Sequence, residues 1–219
     1  NRRFQKISYK WNAAQTDADL LSGPVSETYT VADIAAAGGT RQQIWNYPGP
    51  AQCVSCHTSI SGNVLGVRTA QLNRNYNYSP GGTHNQLAAL DSINLFSTRL
   101  QGSNQYTAYP EMNSSAPLAE RARAYLAVNC AGCHQPNGTT PMDFDLRAET
   151  AFNLTKLLNV NASVNLSLTN QARIRQGSKA SSVLWSRINR TDQYRMPPLG
   201  SNVIDQEAVK LIGDWIDGL

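Results

Sequence analysis

The chain has 219 residues, 19 basic and 15 acidic, for a formal net charge of +4 and a hydrophobic fraction of 41%, which allows one large domain or two small ones. No run approaches the ~18 apolar residues of a membrane span. No lysine-rich run or basic helix face marks a nucleic-acid surface.

Residues 1–50 carry short β-type runs. Phe4, Ile7, Tyr9 and Trp11 precede polar, turn-rich sequence; Tyr29-Thr30-Val31 and Arg41-Gln42-Gln43-Ile44-Trp45 flank a Gly38-Gly39 turn. The pattern predicts a small hairpin or irregular β extension. Trp11, Trp45 and Tyr47 read as core side chains rather than as the wall of a binding site. Asn1-Arg2-Arg3-Phe4 lacks the apolar stretch of a signal peptide. A chain starting on a β-type run is expected to be a piece of a longer polypeptide.

Pro48-Gly49-Pro50 then leads a short helix into Cys53-Val54-Ser55-Cys56-His57. The pattern recurs as Cys130-Ala131-Gly132-Cys133-His134, and Cys-x-x-Cys-His is the attachment signature of c-type haem. Two thiols at this spacing form thioether bonds to the two vinyl groups of one porphyrin, and the adjoining His is held beneath the iron as proximal ligand. All four cysteines and two of the three histidines fall in these motifs. A disulfide inside either motif would close a strained ring and leave both histidines unexplained. Zinc knuckles ordinarily lie ~15–20 residues apart, whereas 73 residues separate Cys56 from Cys130. Neither motif sits in the β-α-β pattern of a thioredoxin-like dithiol. Two covalently bound haem c groups are expected. Covalent attachment in bacteria takes place outside the cytoplasmic membrane, so a periplasmic or otherwise exported location follows. Four haem propionates would offset most of the positive charge.

Beyond His57, a loop rich in Gly, Asn, Ser and Tyr runs through Asn75-Tyr76-Asn77-Tyr78, and a helix is predicted over about 85–96. A further loop reaches Tyr109-Pro110-Glu111-Met112. The clearest helix covers about 116–129, capped by Ser114 or Ser115, with Pro117 in its first turn and Leu118, Ala122, Tyr125 and Leu126 on one face. It runs unbroken into Cys130, so it would end one haem domain, begin the next and hold the two haems close together.

After His134 come a loop at Asn137-Gly138 and Pro141, a stretch from Phe144 towards Leu158, and an Asn-rich connection over 159–170. A short helix holding Val183, Leu184, Trp185 and Ile188 precedes Arg195-Met196-Pro197-Pro198-Leu199-Gly200. The final amphipathic helix carries Ile204, Ala208, Leu211, Ile212, Trp215 and Ile216.

In that order of elements, residues 116–219 resemble a class I cytochrome c domain. The whole chain resembles a family of diheme c-type cytochromes of exported and modular bacterial proteins. The likeness rests on Trp45-Asn46-Tyr47-Pro48, on Cys53 to Leu72 with Gln71-Leu72-Asn73-Arg74 at its end, and on Arg121-Ala122-Arg123-Ala124-Tyr125-Leu126. It implies a mainly α fold of two class I cytochrome c-like haem domains in tandem, 51–115 and 116–219, behind the β extension at 1–50. It also implies electron transfer.

For the second iron the axial pair is then His134 and Met196, the soft thioether favouring Fe(II). Met142 lies only eight residues past His134, too few to wrap the porphyrin edge. For the first iron, the repeated order helix–Met–helix puts Met112 opposite His57, 55 residues away against 62 for the second pair. His84 is the rival, being the one histidine outside the motifs, and an open or water-bound position is the third reading. The first domain departs from the family in lacking an obvious helix before its motif, and the β extension would take that packing role. Arg68, Arg74, Arg187 and Arg195, with Tyr76, Tyr78 and Tyr194, are propionate donors or plain surface residues. Asp143, Asp145 and Glu149 read as surface carboxylates, because no calcium-loop spacing is present.

Two classes of function follow. One is an electron carrier, with no catalytic residues, between a dehydrogenase or oxygenase and a respiratory acceptor; a mildly basic surface suits an acidic partner. The other is a peroxidase-like enzyme or gas sensor with an open first iron.

Overall fold

Alternating polar and β-prone residues between turn signals make the first fifty residues a pair of hairpins. A computed structural model describes residues 5–140 and 143–219. Strand β1 (Tyr9–Trp11) pairs antiparallel with β2 (Ala18–Leu20), and β3 (Val25–Ala32) with β4 (Thr40–Tyr47). The second hairpin reverses at Gly38 and Gly39, whose φ values of 86° and 71° are backbone that glycine adopts without strain. The Lys10–Glu27 ion pair ties the two hairpins together, and the Ser8 hydroxyl donates to the Pro48 carbonyl at 2.7 Å.

Short helices α1 (Pro50–Cys53) and α2 (Thr69–Leu72) follow, then a third hairpin of β5 (Asn75–Tyr78) and β6 (Gly82–Asn85). Here the sequence predicts only a loop. Tyr76 and Tyr78 lie on one face with their rings edge to face, centroids 5.0 Å apart, and Ser79-Pro80-Gly81 makes the turn. Asn85 ends β6 and caps α3 (Gln86–Ser92), its side-chain oxygen accepting from the Leu87 and Ala88 amides. The helix expected to reach residue 96 stops there, because Asn94 is left-handed at φ 56°.

The second half holds nearly all the buried apolar side chains. Helix α4 (Leu118–Asn129) packs on α6 (Gln206–Asp217), with α5 (Val183–Ile188) against α6. Ala122, Leu126, Ala131, Ile174, Ile212 and Ile216 are fully buried there. Neither Ser114 nor Ser115 caps α4; Pro117 precedes it, and the Arg121 side chain satisfies the Ala116 and Met112 carbonyls at 2.9 and 2.6 Å. Among the described residues before Ala122, Leu87 is the one buried apolar side chain.

The expectation of a mainly α fold is overturned. Among the described residues 25% are helix and 17% strand, with three two-stranded antiparallel sheets. Part of the reason is the third hairpin. The other part lies in the stretch after Phe144, which winds into a single 3-10 turn at Phe152–Leu154. Asp145 organises that loop. It is 6% exposed and not a surface carboxylate, accepting from the Arg147 amide at 3.0 Å, the Arg147 guanidinium at 2.6 Å and the Thr150 hydroxyl at 2.6 Å. Arg123 on α4 then donates to the Arg147 and Thr150 carbonyls at 2.7 and 2.6 Å. Side-chain bonds to loop backbone compete here with helical ones. Among the described residues no helix is long and apolar enough to cross a membrane.

Candidate functional site

Helix α4 delivers the second motif to a cavity. Its last turn closes on the Cys130 amide, which donates to the Leu126 carbonyl at 2.9 Å, and the motif continues as a turn in which the His134 amide reaches the Cys130 carbonyl at 2.9 Å. The turn after the motif requires glycine at 138, where a Cβ would lie 2.2 Å from the Cys133 carbonyl oxygen. Cys130 and His134 line a cavity of about 260 Å3 walled by Leu126, Phe144, Leu157, Val183, Leu184 and Ile188. Met196 lines the same cavity. Its amide donates to the Arg187 carbonyl at the end of α5, at 2.9 Å.

The His134 ring stacks on Phe144 at 4.7 Å, and the Arg173 guanidinium lies over the Phe144 ring at 5.1 Å. Burial, then the charge of Arg187, lower His134 to about 4, so the imidazole is neutral at physiological pH and its lone pair is free to bind a metal. Nδ1 lies 3.3 Å from the Thr140 hydroxyl, which leaves Nε2 available. Burial pushes the Cys130 thiol up to about 12.

The first motif lines a second cavity, of about 460 Å3. Gly49 caps α1, and Pro24 approaches so closely that a Cβ on Gly49 would lie 2.9 Å from its ring. Strands β3 and β4 therefore pack directly beside Cys53, Cys56 and His57, and Val25, Trp45 and Tyr47 form one wall. Trp45 and Tyr47 are thus cavity residues, contrary to the core role expected of them, while Trp11 is 58% exposed. His57 Nδ1 lies 2.7 Å from the Asn63 carbonyl. A carbonyl only accepts, so Nδ1 carries the proton and Nε2 is again left for a metal.

The two motifs pack on each other. Burial, then a hydrogen bond with the Cys133 thiol, push Cys56 up to about 11. Leu65, just beyond the first motif, lies 3.3 Å from where a Cβ on Gly132 would sit. The segment after Met196 is shared as well, since Arg195, Leu199 and Gly200 line the first cavity while Met196 lines the second.

No family model, curated protein or solved structure matches the chain.

Neither candidate for the sixth ligand of the first iron lines the cavity with His57. Met112 packs against the α4–α6 core and lines a separate cavity with Gln71, Tyr109 and Tyr125. His84 is exposed on β6, its Nε2 2.8 Å from the Gly81 carbonyl. Met142, the competitor of Met196, and Pro141 beside it fall outside the described residues. Arg74 pairs with Glu111 at 2.8 Å and, with Met112, lines the separate cavity rather than either motif's.

Cys53, Cys56 and His57 line one cavity and Cys130, His134 and Met196 the other, a thiol, imidazole and thioether set of the kind that holds a porphyrin iron, while Cys133 lines neither and lies against Cys56. All four cysteines are free thiols. Arg173, in the second cavity, and Arg195, in the first, each bury a guanidinium Nε that has no hydrogen-bond partner among the described residues. Arg173 already has an anion, its guanidinium donating to Asp143 at 2.7 Å, and the Arg195 guanidinium donates to the Thr191 carbonyl at 3.2 Å. Arg173, Trp45 and Tyr47 escaped the sequence reading, because only packing tells a cavity-lining Arg or Trp from a surface one. No three His, Cys, Asp or Glu side chains among the described residues converge as a separate metal site would need.

Proposed function

We propose that the chain is a diheme c-type cytochrome of an exported protein, carrying single electrons between redox partners. One observation carries the proposal: His134 and Met196, 62 residues apart in sequence, line one apolar cavity with Cys130. A bound haem supplies exchange of one electron between Fe(III) and Fe(II).

The rest falls to the chain's own residues. Cys53 and Cys56, and Cys130 and Cys133, tether the two groups. His57 and His134 present Nε2, oriented through Asn63 and Thr140. Met196 offers a soft thioether that favours Fe(II). Arg187 and Arg195 bring positive charge to the cavities for carboxylate arms, while Arg173 is already paired with Asp143. Apolar walls keep water from the centres, so little solvent has to reorganise when an electron arrives. The contact between Cys56 and Cys133 would hold the two groups a short, fixed distance apart. A net charge of +4 suits an acidic partner such as a dehydrogenase, an oxygenase or a respiratory acceptor.

The test is maturation in a host that attaches haem outside the cytoplasm. Two porphyrin additions in the intact mass, and the weak red absorption band of Met–Fe(III) ligation, are expected. Met196→Ala removes that band. A colourless protein, or a mass without both additions, sinks the proposal.

A second reading rests on the first cavity, where the described lining residues include no Met and no histidine besides His57. An iron there with an open sixth position would take peroxide or a small gas ligand. Carbon monoxide added to the reduced protein distinguishes the two. A spectral shift at one haem favours the open site, and no shift favours the carrier alone.

A further inference from the structure

The segment that carries Met196 is anchored at both ends. Upstream, the Met196 amide donates to the Arg187 carbonyl at 2.9 Å. Downstream, Asn202 reaches strand β4, more than 150 residues earlier in the chain. Its Nδ2 donates to the Ile44 carbonyl at 3.0 Å, and its Oδ1 accepts from Asn46 Nδ2 at 3.1 Å. The Asn46 side chain is fixed in turn, because its own Oδ1 accepts from the Ser26 hydroxyl of β3 at 2.6 Å. The result is a relay from β3 through β4 to the loop, in which each amide uses its oxygen and its nitrogen on different partners.

The span between Met196 and Asn202 is stiff. Pro197 and Pro198 have φ locked by their rings, and the Ser201 hydroxyl donates back to the Pro197 carbonyl. Gly200, at φ 70°, is the one glycine in the span, and the Ser201 bond bridges across it, so a displacement at Asn202 is passed on towards Met196. A thioether is a weak ligand, so its time on the metal depends on how firmly its loop is held.

We propose that Asn202 is a positioning residue for Met196, through which the β3–β4 hairpin sets the ligation of the second centre. The inference rests on reading Met196 as an iron ligand. It assigns the hairpin two roles at once, because the strand that holds Asn202 also supplies Trp45 and Tyr47 to the first cavity. The two centres thereby share one mechanical support.

The experiment uses the full chain loaded with haem. Asn202→Ala and Asn46→Ala are compared with the unsubstituted protein in the Met–Fe(III) red band, in the rate at which cyanide displaces Met from the ferric protein, and in midpoint potential. Haem content and far-ultraviolet circular dichroism serve as controls for folding. At least a threefold faster displacement, a weaker red band and a lower potential at one haem are expected, because Met ligation raises the potential. The double variant should be no worse than Asn202→Ala, since both residues act in one relay. If Asn202→Ala fails to load haem, Asn46→Ala carries the test. An unchanged band and displacement rate in a folded, loaded variant overturn the inference and leave Met196 ligation standing. A missing red band in the unsubstituted protein would instead overturn Met196 ligation itself.

Discussion

Gly213 sits on the buried face of α6, against α5. A Cβ there would lie 2.9 Å from Trp185 Nε1, 3.0 Å from Lys179 Cδ and 3.4 Å from Trp185 Cδ1. Lys179 has a flexible, half-exposed side chain and can swing aside. The Trp185 ring is held, because its Nε1 donates to the Val209 carbonyl one turn earlier on α6, at 3.0 Å. Gly213→Ala gains about 1 kcal/mol of helix propensity. Against that stand about 1–3 kcal/mol for overpacking and about 1 kcal/mol for the strained Trp185 hydrogen bond. The net effect is a loss of about 1–3 kcal/mol, which lowers Tm by about 3–10 °C in a chain of this size. Differential scanning calorimetry of the two proteins in the same state of haem loading measures it. The displacement also passes along α5 to the Arg187 carbonyl that holds Met196, so the red absorption band should weaken in parallel. An unchanged or raised Tm would refute the argument, because helix propensity would then have outweighed a contact that the packing makes unavoidable.

Two further outcomes test the core and the loop that carries the second site. Leu126→Ala, at a fully buried position between the core and the His134 cavity, costs about 2–5 kcal/mol in denaturant unfolding; a loss under about 1 kcal/mol would mean the cavity wall collapses to fill the gap. Asp145 gives an acid limb. Burial pushes its carboxyl up, but the hydrogen bonds from Arg147 and Thr150 outweigh burial and hold it at about 2, below the ordinary 3.8. A depressed folded-state pKa stabilises the fold fully above about pH 4, and about 2 kcal/mol is lost as pH falls towards about 2. Asp145→Asn should flatten that part of the stability–pH curve, and an unchanged acid slope would show that the network does not hold the carboxylate.

The donor groups of the candidate sites were legible in the sequence because they are local. Cys-x-x-Cys-His needs five consecutive residues, and the spacing alone sets two thiols and an imidazole around one turn. The amphipathic period likewise showed α4 and α6, whose apolar faces must be covered wherever they lie. The β3–β4 hairpin was legible too, through its alternation and its paired glycines.

What packing alone decided is everything set by residues far apart in the chain. The β5–β6 hairpin escaped because Tyr76 and Tyr78 stand among turn residues and give no long alternation. Asp145 read as a surface carboxylate, since only the folded loop brings Arg147, Thr150 and α4 around it. Met112 was the sixth ligand favoured by order along the chain, with His84 its rival, yet the fold carries the first to the α4–α6 core and the second to solvent. Trp45 and Asn46, on a strand that looked like a simple extension, came to rest against the first motif and the Met196 loop. Short-range spacing determines which atoms are able to bind a metal. Which of them meet depends on how the chain buries its limited apolar surface, and that is settled only when distant segments compete for the same contacts.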